Sequence, residues 1–211
     1  MVHTRTNKEI EKIAASCQIV ADTLIMLKSY IIQGARISDL DKLAEDFIKS
    51  RGARPAFKGY MGFPSTLCVS VDSAVVHGVP NDDILKKGQI VSVDCGAELD
   101  GYYGDHAISF PVGKIDANKQ KLIDVTKQSL FKGIEQAIPG NCVGDIGNAV
   151  QIHAEGNGFS VVRELVGHGI GTNLHEDPQI PNFGSPNKGY MLHAGMCIAI
   201  EPMINAGTKD V

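Results

Sequence analysis

Gly88-Gln-Ile-Val-Ser-Val-Asp94 returns 107 residues later as Gly195-Met-Cys-Ile-Ala-Ile-Glu201. In both, a glycine opens an alternating apolar run that closes on an acid at the sixth step. The alternation has the period of a β-strand. A carboxylate at the end of a buried strand is costly unless something pairs with it. Two such acids in one repeated frame point to a shared partner, and a metal ion suits both.

The repeat extends outward from these strands. Thr6-x-x-Glu9 reads as a capping box opening a helix, with Ile10, Ile13, Ala14, Cys17, Ala21 and Leu24 on its apolar face and Gly34 as its stop. Ser38 is the expected cap of a second helix, with Leu40, Leu43, Ala44 and Phe47 on one face and Gly52 beyond its end. The layout recurs through Leu122, Ile123, Thr126, Leu130 and Ile134, with Pro139-Gly140 as the break. Ile146, Ala149, Val150 and His153 then form a second face, followed by Gly158. Leu40 to Phe47 and Ile146 to His153 keep an offset of 106, as do Gly34 and Gly140. Two α/β halves related by a pseudo-dyad, with a site between them, are the expected architecture. Their bounds are about 1–113 and 114–211 within one domain.

Asp100-Gly101 lies between two β-like runs and signals a hairpin. With these as the two loop residues, Leu99 faces Tyr102, Gly96 faces Asp105 and Asp94 faces Ala107. Asp94 and Asp105 then share one face as diagonal neighbours, ~7–8 Å apart at Cα. Like charges that close call for a cation or a shifted pKa. His106 should point to the opposite face. Gly167-His168-Gly169-Ile170-Gly171 reads as a glycine-dense loop that lets backbone approach a site. His77 and His175 lie in Val76-His-Gly-Val-Pro80 and Leu174-His-Glu-Asp-Pro178.

The chain has 211 residues, 43% apolar and 21% charged, with a formal net charge of −4. Nothing basic enough for sequence-independent nucleic-acid binding is present. No apolar run approaches the ~18 residues that span a membrane, and the polar start lacks a signal-peptide core. Cys17, Cys68, Cys95, Cys142 and Cys197 form no C-x-x-C pair, so reduced thiols in the cytoplasm are expected.

Together these features resemble the methionine aminopeptidases, most closely the short bacterial-type form of type I. The motifs that carry the likeness are Pro64-Ser-Thr-Leu-Cys-Val-Ser-Val-Asp72, Val76-His-Gly-Val-Pro80, Val93-Asp94 with Gly104-Asp105, Gly167-His-Gly-Ile-Gly171, His175-Glu-Asp-Pro178 and Ile200-Glu-Pro-Met203. The resemblance implies the α+β pita-bread fold, two pseudo-symmetric halves around a curved antiparallel sheet. It implies two divalent ions of Co, Mn, Fe(II) or Zn and removal of the initiator methionine from nascent polypeptides with a small second residue. By position, Asp94, Asp105, His168 and Glu201 would be metal ligands, with Asp105 bridging. His77 and His175 would contact the substrate and stabilise the intermediate, and Glu201 would also move a proton. Phe57, Tyr60, Phe63, Cys68 and Leu174 would line the methionine pocket. A protein that is a monomer when complete, with a transient ribosome association, fits that task, with no specific nucleic-acid partner and no membrane partner.

The family has a fifth ligand, a glutamate equivalent to Asp105 in the second half. The repeat offset puts it at about position 212 or later, so a C-terminally incomplete second half is expected. A proline-directed aminopeptidase of the same fold and a non-catalytic peptide-binding pseudoenzyme are the competing readings.

Overall fold

α1 (Asn7–Leu27) and α2 (Ile37–Ser50) lay their apolar stripes on one face of a four-stranded antiparallel sheet. The structure is a computed structural model that describes residues 2–211. The sheet's strands are β1 (Arg54–Pro55), β2 (Leu67–Val71), β3 (Ile90–Leu99) and β4 (Tyr102–Pro111). β3 takes β2 and β1 end to end along one edge and β4 along the other. Asp100 and Gly101 have φ of 52° and 82°. Positive φ at both central residues is the geometry that matches the twist of the flanking strands. The register follows as expected: Leu99 opposite Tyr102, Gly96 opposite Asp105, Asp94 opposite Ala107.

The helix-facing side of this sheet is dry. Leu67, Val69, Val91, Val93, Cys95 and Ala97 join Val20, Leu24, Leu27, Leu40, Ala44 and Ile48 in one core. Gly104 lets α1 approach β4: a Cβ there would lie 2.4 Å from the Cys17 backbone nitrogen.

Three details of α1 and α2 differ from the sequence expectation, and the third helix, α3 (Ala117–Gln136), buries Val125, Ser129 and Gly133 while Ile134 is exposed. α1 buries Ser16, Val20, Thr23 and Leu27 rather than Ala14, Cys17 and Ala21. Two of these are hydroxyls, made tolerable because Ser16 donates to the Tyr102 carbonyl and Thr23 to the Ile19 carbonyl. α1 ends at Leu27, well before Gly34, whose φ of 91° instead turns the chain toward α2. Ser38 is not the cap of α2. Arg36 is, without a side-chain bond, because the 81–83 loop carbonyls accept from Ile37 and Ser38. The Ser38 hydroxyl goes to Asp82.

The chain divides into two units: residues 8–117 with 171–174, just described, and the chain's start through Asn7 with 118–170 and 175–211. The second holds α3 (Ala117–Gln136), α4 (Val143–Gly156), β5 (Ser160–Val161), β6 (Gly167–Gly169), β7 (Glu176–Ile180), β8 (Ile198–Ala199) and β9 (Ile204–Asn205). β6 lies between β7 and β8, and β5 pairs β9, all antiparallel. Val143, Ile146, Ile180 and Leu192 form one core cluster and Val150, Ala154 and Val161 another.

The internal repeat is written in the backbone. α2 and α4 each have 14 residues, and each follows a capping residue in extended conformation, Arg36 and Cys142. Gly34 and Gly140, Gly52 and Gly158, and Gly88 and Gly195 are matched in positive φ. Arg54 pairs Glu98 as Ser160 pairs Asn205. β8 and β9 are thus the two ends of the strand equivalent to β3, interrupted around Glu201-Pro202.

Gly104→Ala should lower stability by about 2 kcal/mol or more, because the added methyl meets helix backbone that cannot turn aside. Gly101→Ala should cost only about 1 kcal/mol, the penalty of its left-handed conformation. Urea midpoints of the two variants measure the difference.

Candidate metal centre and substrate pocket

The face of the first unit's sheet turned away from the helices carries chemistry. Asp94 and Asp105 project from it, two positions out of line, both half-buried. Cys68 stands opposite Asp94 on β2. Gly96, opposite Asp105, has no side chain, and the Phe57 ring lies there instead, 2.6 Å from where a Cβ would be. Two carboxylates, a thiol and an aromatic ring therefore occupy adjacent positions on one face. The Cys68 thiol is pushed up to about 12, first by burial and then by the charges of Asp94, Asp105 and Asp41. It is a neutral apolar wall and not a nucleophile.

The other pocket candidates come from nearby chain. Tyr60 is exposed and Phe63 half-buried, both in the turn between β1 and β2. Leu174 is 2% exposed, in a segment tied to β4 by the Tyr103 amide donating to the Gly171 carbonyl at 2.8 Å. His77 is exposed, with a φ of 59°. Its loop is strapped to β2: the Val69 amide donates to the Gly78 carbonyl and the Gly78 amide to the Ser70 hydroxyl. A histidine held in the left-handed region needs such over-determination by its surroundings.

In the second unit the glycine-rich run is a strand, β6, not the loop its composition suggested. The glycines are needed for packing. A Cβ on Gly167 would lie 2.3 Å from the Ala199 carbonyl oxygen, and one on Gly169 2.2 Å from that of Asp177. His168 between them is 7% exposed and pairs with Ala199, two residues before Glu201. His168 and Glu201 are therefore diagonal neighbours on one face, the relation Asp94 has to Asp105.

Their contact tests whether a cation fits. His168 Nδ1 is 2.8 Å from the Gly169 carbonyl oxygen. That oxygen can only accept, so Nδ1 holds a proton, and in the ring's neutral form Nε2 presents a lone pair. Nε2 is 3.1 Å from Glu201 Oε1. This oxygen is buried and receives no hydrogen bond. Buried polar atoms are almost always satisfied, and a divalent ion ~2.0–2.2 Å from each atom would satisfy this one. The donor set fits a metal. The exposed His175 ring stands edge-on to His168, centroids 4.3 Å apart. Beside it, the side chains of Glu176 and Arg5 form an ion pair, each 7% exposed, which pins the chain's start to β7.

Among the described residues, no three His, Cys, Asp or Glu side chains gather closely enough to hold an ion. What the structure brings together is two pairs, Asp94 with Asp105 and His168 with Glu201. The Arg5–Glu176 pair carries no sequence signal, since 171 residues separate its members.

The chain belongs to metallopeptidase family M24, whose family model matches residues 11–210. It is 49% identical to methionine aminopeptidase 1 of Bacillus subtilis over 211 residues, all of this chain and 85% of that protein. The crystal structure of methionine aminopeptidase from Rickettsia prowazekii is 41% identical, with a TM-score of 0.98 over 100% of this chain and 85% of that one. These relatives set the chain among the family's methionine aminopeptidases. A prolidase from Pyrococcus furiosus shares the fold at 24% identity and a TM-score of 0.81, over 94% of this chain and 57% of that one. The pita-bread fold expected from the sequence is the one found.

Two outcomes test the site. Glu201→Gln lets the new amide donate to His168 Nε2. Without metal its stability should rise by about 1 kcal/mol, while the gain in Tm on adding Mn(II) or Co(II) shrinks. Melting curves with and without the ions measure both. In alkylation with iodoacetamide at pH 8, Cys68 and the fully buried Cys95 should label last in the folded chain and at once in denaturant. Mass spectrometry of the peptides reads the order.

Proposed function

We propose that this chain removes the N-terminal methionine from nascent polypeptides whose second residue is small, using Asp94, Asp105, His168 and Glu201 as ligands for divalent metal. The observation that carries the reading is the company Asp94 and Asp105 keep. Phe57 and Cys68 share their sheet face, so carboxylate and apolar pocket candidates are neighbours in a chain 49% identical to a methionine aminopeptidase. An unbranched thioether suits a small apolar pocket, which discriminates by fit and not by hydrogen bonding.

Membership of a metallopeptidase family implies divalent metal. We take the number as two, with Asp94, Asp105, His168 and Glu201 as the side chains that would hold them, and the identity as Mn, Fe(II), Co or Zn. Oxygen ligands with one imidazole suit all of these. Such ions, when bound, polarise the scissile carbonyl and lower the pKa of water. The chain's own groups do the rest. Phe57, Tyr60, Phe63, Cys68 and Leu174 hold the methionine side chain. His77 and His175 hydrogen-bond to the substrate around the scissile bond and stabilise the developing oxyanion. Glu201, through its carboxylate, takes a proton from water and delivers it to the leaving amine.

No helix among the described residues is long and apolar enough to cross a membrane. All five cysteines are free thiols, which fits a reducing cytoplasm. We assign the chain there, meeting its substrates transiently at the ribosome.

Methionine release from Met-Ala-Ser, measured anaerobically with Mn(II), Fe(II) or Co(II), tests the reading. Turnover should appear with metal and vanish with chelator. Asp105→Asn, keeping shape but losing charge, should reduce kcat/KM by ~100-fold or more. No release from folded, metal-supplied protein would exclude the proposed activity.

A further inference from the structure

Four of the five pocket candidates lie on residues 57–68, and this segment has little regular structure of its own. Gly59, Met61 and Gly62 all have positive φ. A few internal bonds shape it: the Gly59 amide donates to the Phe63 carbonyl, Tyr60 to Phe57 and Phe63 to Tyr60. A turn built this way takes its position from what anchors its ends. One anchor is β3, whose Gly96 carbonyl accepts from the Ala56 amide at 2.9 Å.

At the other end the β2–β3 ladder holds Leu67 and Cys68, and two acids one turn apart on α2 grip the segment as well. Asp41 Oδ1 accepts from the Thr66 amide at 2.9 Å and from the Leu67 amide at 2.8 Å, immediately before Cys68. Glu45 accepts from Lys58 at 2.7 Å, immediately after Phe57. Lys49 on the same helix also donates to Glu45, at 2.6 Å. Thr66 and Leu67 are both fully buried, so without Asp41 their amides would have no water to turn to. Burial raises the pKa of Asp41, and the two amides act against that rise.

The internal repeat supplies a comparison. In the equivalent α4, the positions of Asp41 and Glu45 are Gly147 and Gln151. α4 also packs against a loop, but through close backbone approach at Gly147 and a hydrogen bond that the Gly184 N–H donates to Gln151 Oε1. The architecture therefore does not require acids at these two positions. They belong to what the first unit's loop does.

We propose that Asp41 and Glu45 are positioning residues for the methionine pocket: gripping the segment next to Phe57 and next to Cys68, they set which first side chain the site accepts. This rests on the aminopeptidase reading above. Neither acid touches substrate. Their effect runs through the placement of the Phe57 ring over Gly96 and of Cys68 beside Asp94.

The test is steady-state kinetics on Met-Ala-Ser and Leu-Ala-Ser with the metal-loaded full chain. Asp41→Ala should raise KM for the methionine peptide by ~10-fold, with kcat within ~3-fold of wild type. Its preference for methionine over leucine should fall by ~10-fold. Asp41→Asn keeps the accepting oxygen and should return KM and preference to within ~3-fold of wild type. A merely structural role would lower active protein and kcat while leaving KM and the preference ratio unchanged, and that result would overturn the proposal. So would an Asp41→Ala enzyme with wild-type KM and preference. Should Asp41→Ala not fold, Glu45→Ala and Lys58→Met decide: both must erode the methionine preference, and an unchanged ratio in both sinks the idea. Wild-type chain releasing no methionine would remove the functional reading itself, whereas wild-type release with an indifferent Asp41→Ala removes only this inference.

Discussion

The register between β3 and β4 is the constraint on which the first unit's chemistry depends. A two-residue turn at Asp100-Gly101 fixes it, and the period of a strand is two, so a slip of one residue would exchange the faces. Asp94 would then point into the helix-packed core and Val93 out of it. Burying that carboxylate among Val20, Leu24 and Leu40 would cost far more than any turn preference supplies. The apolar core and the turn therefore specify the same register twice. Functional geometry follows from a choice that stability alone would make.

The second unit reaches an equivalent diagonal pair by another route. There the strand equivalent to β3 is broken around Glu201-Pro202, and proline cannot donate to a ladder. His168 is aimed by its pairing with Ala199 and by a hydrogen bond from its own ring to the next carbonyl. Flanking glycines leave the backbones of β7 and β8 free to close on β6 from both sides. Ring orientation and tautomer are settled before any ligand arrives, which is the usual service of a partner behind a metal-binding imidazole.

Much of this was legible in the sequence, and the unreadable parts have a common cause. The hairpin, its register and the repeat could be read because local signals and apolar alternation carry them. Glycines hid β6, since a strand with no side chains at alternate positions has no pattern to detect. The buried stripe of α1 was misplaced because Ser16 and Thr23 look like surface residues until the carbonyls they reach are known. Nothing in the sequence marks out Asp41 and Glu45. What does so is a pair of backbone amides and a lysine brought alongside by folding. Position by position, the metal-ligand and pocket candidates came from a family resemblance, which the repeated frame supported for Asp94 and Glu201 and the hairpin for Asp94 and Asp105.

The Phe57 ring resting on Gly96 has a consequence for anyone reshaping this enzyme. This proposed wall of the methionine pocket is laid directly on the strand that bears Asp94, with no layer of side chains between them. Enlarging the cavity by trimming Phe57 would uncover bare β3 backbone and admit water beside the carboxylates. Shrinking it from below is closed as well, because any residue larger than glycine at position 96 would lift the ring. Appetite for a different first residue would have to be bred into the far rim of the proposed pocket, around Tyr60, where the chain is exposed.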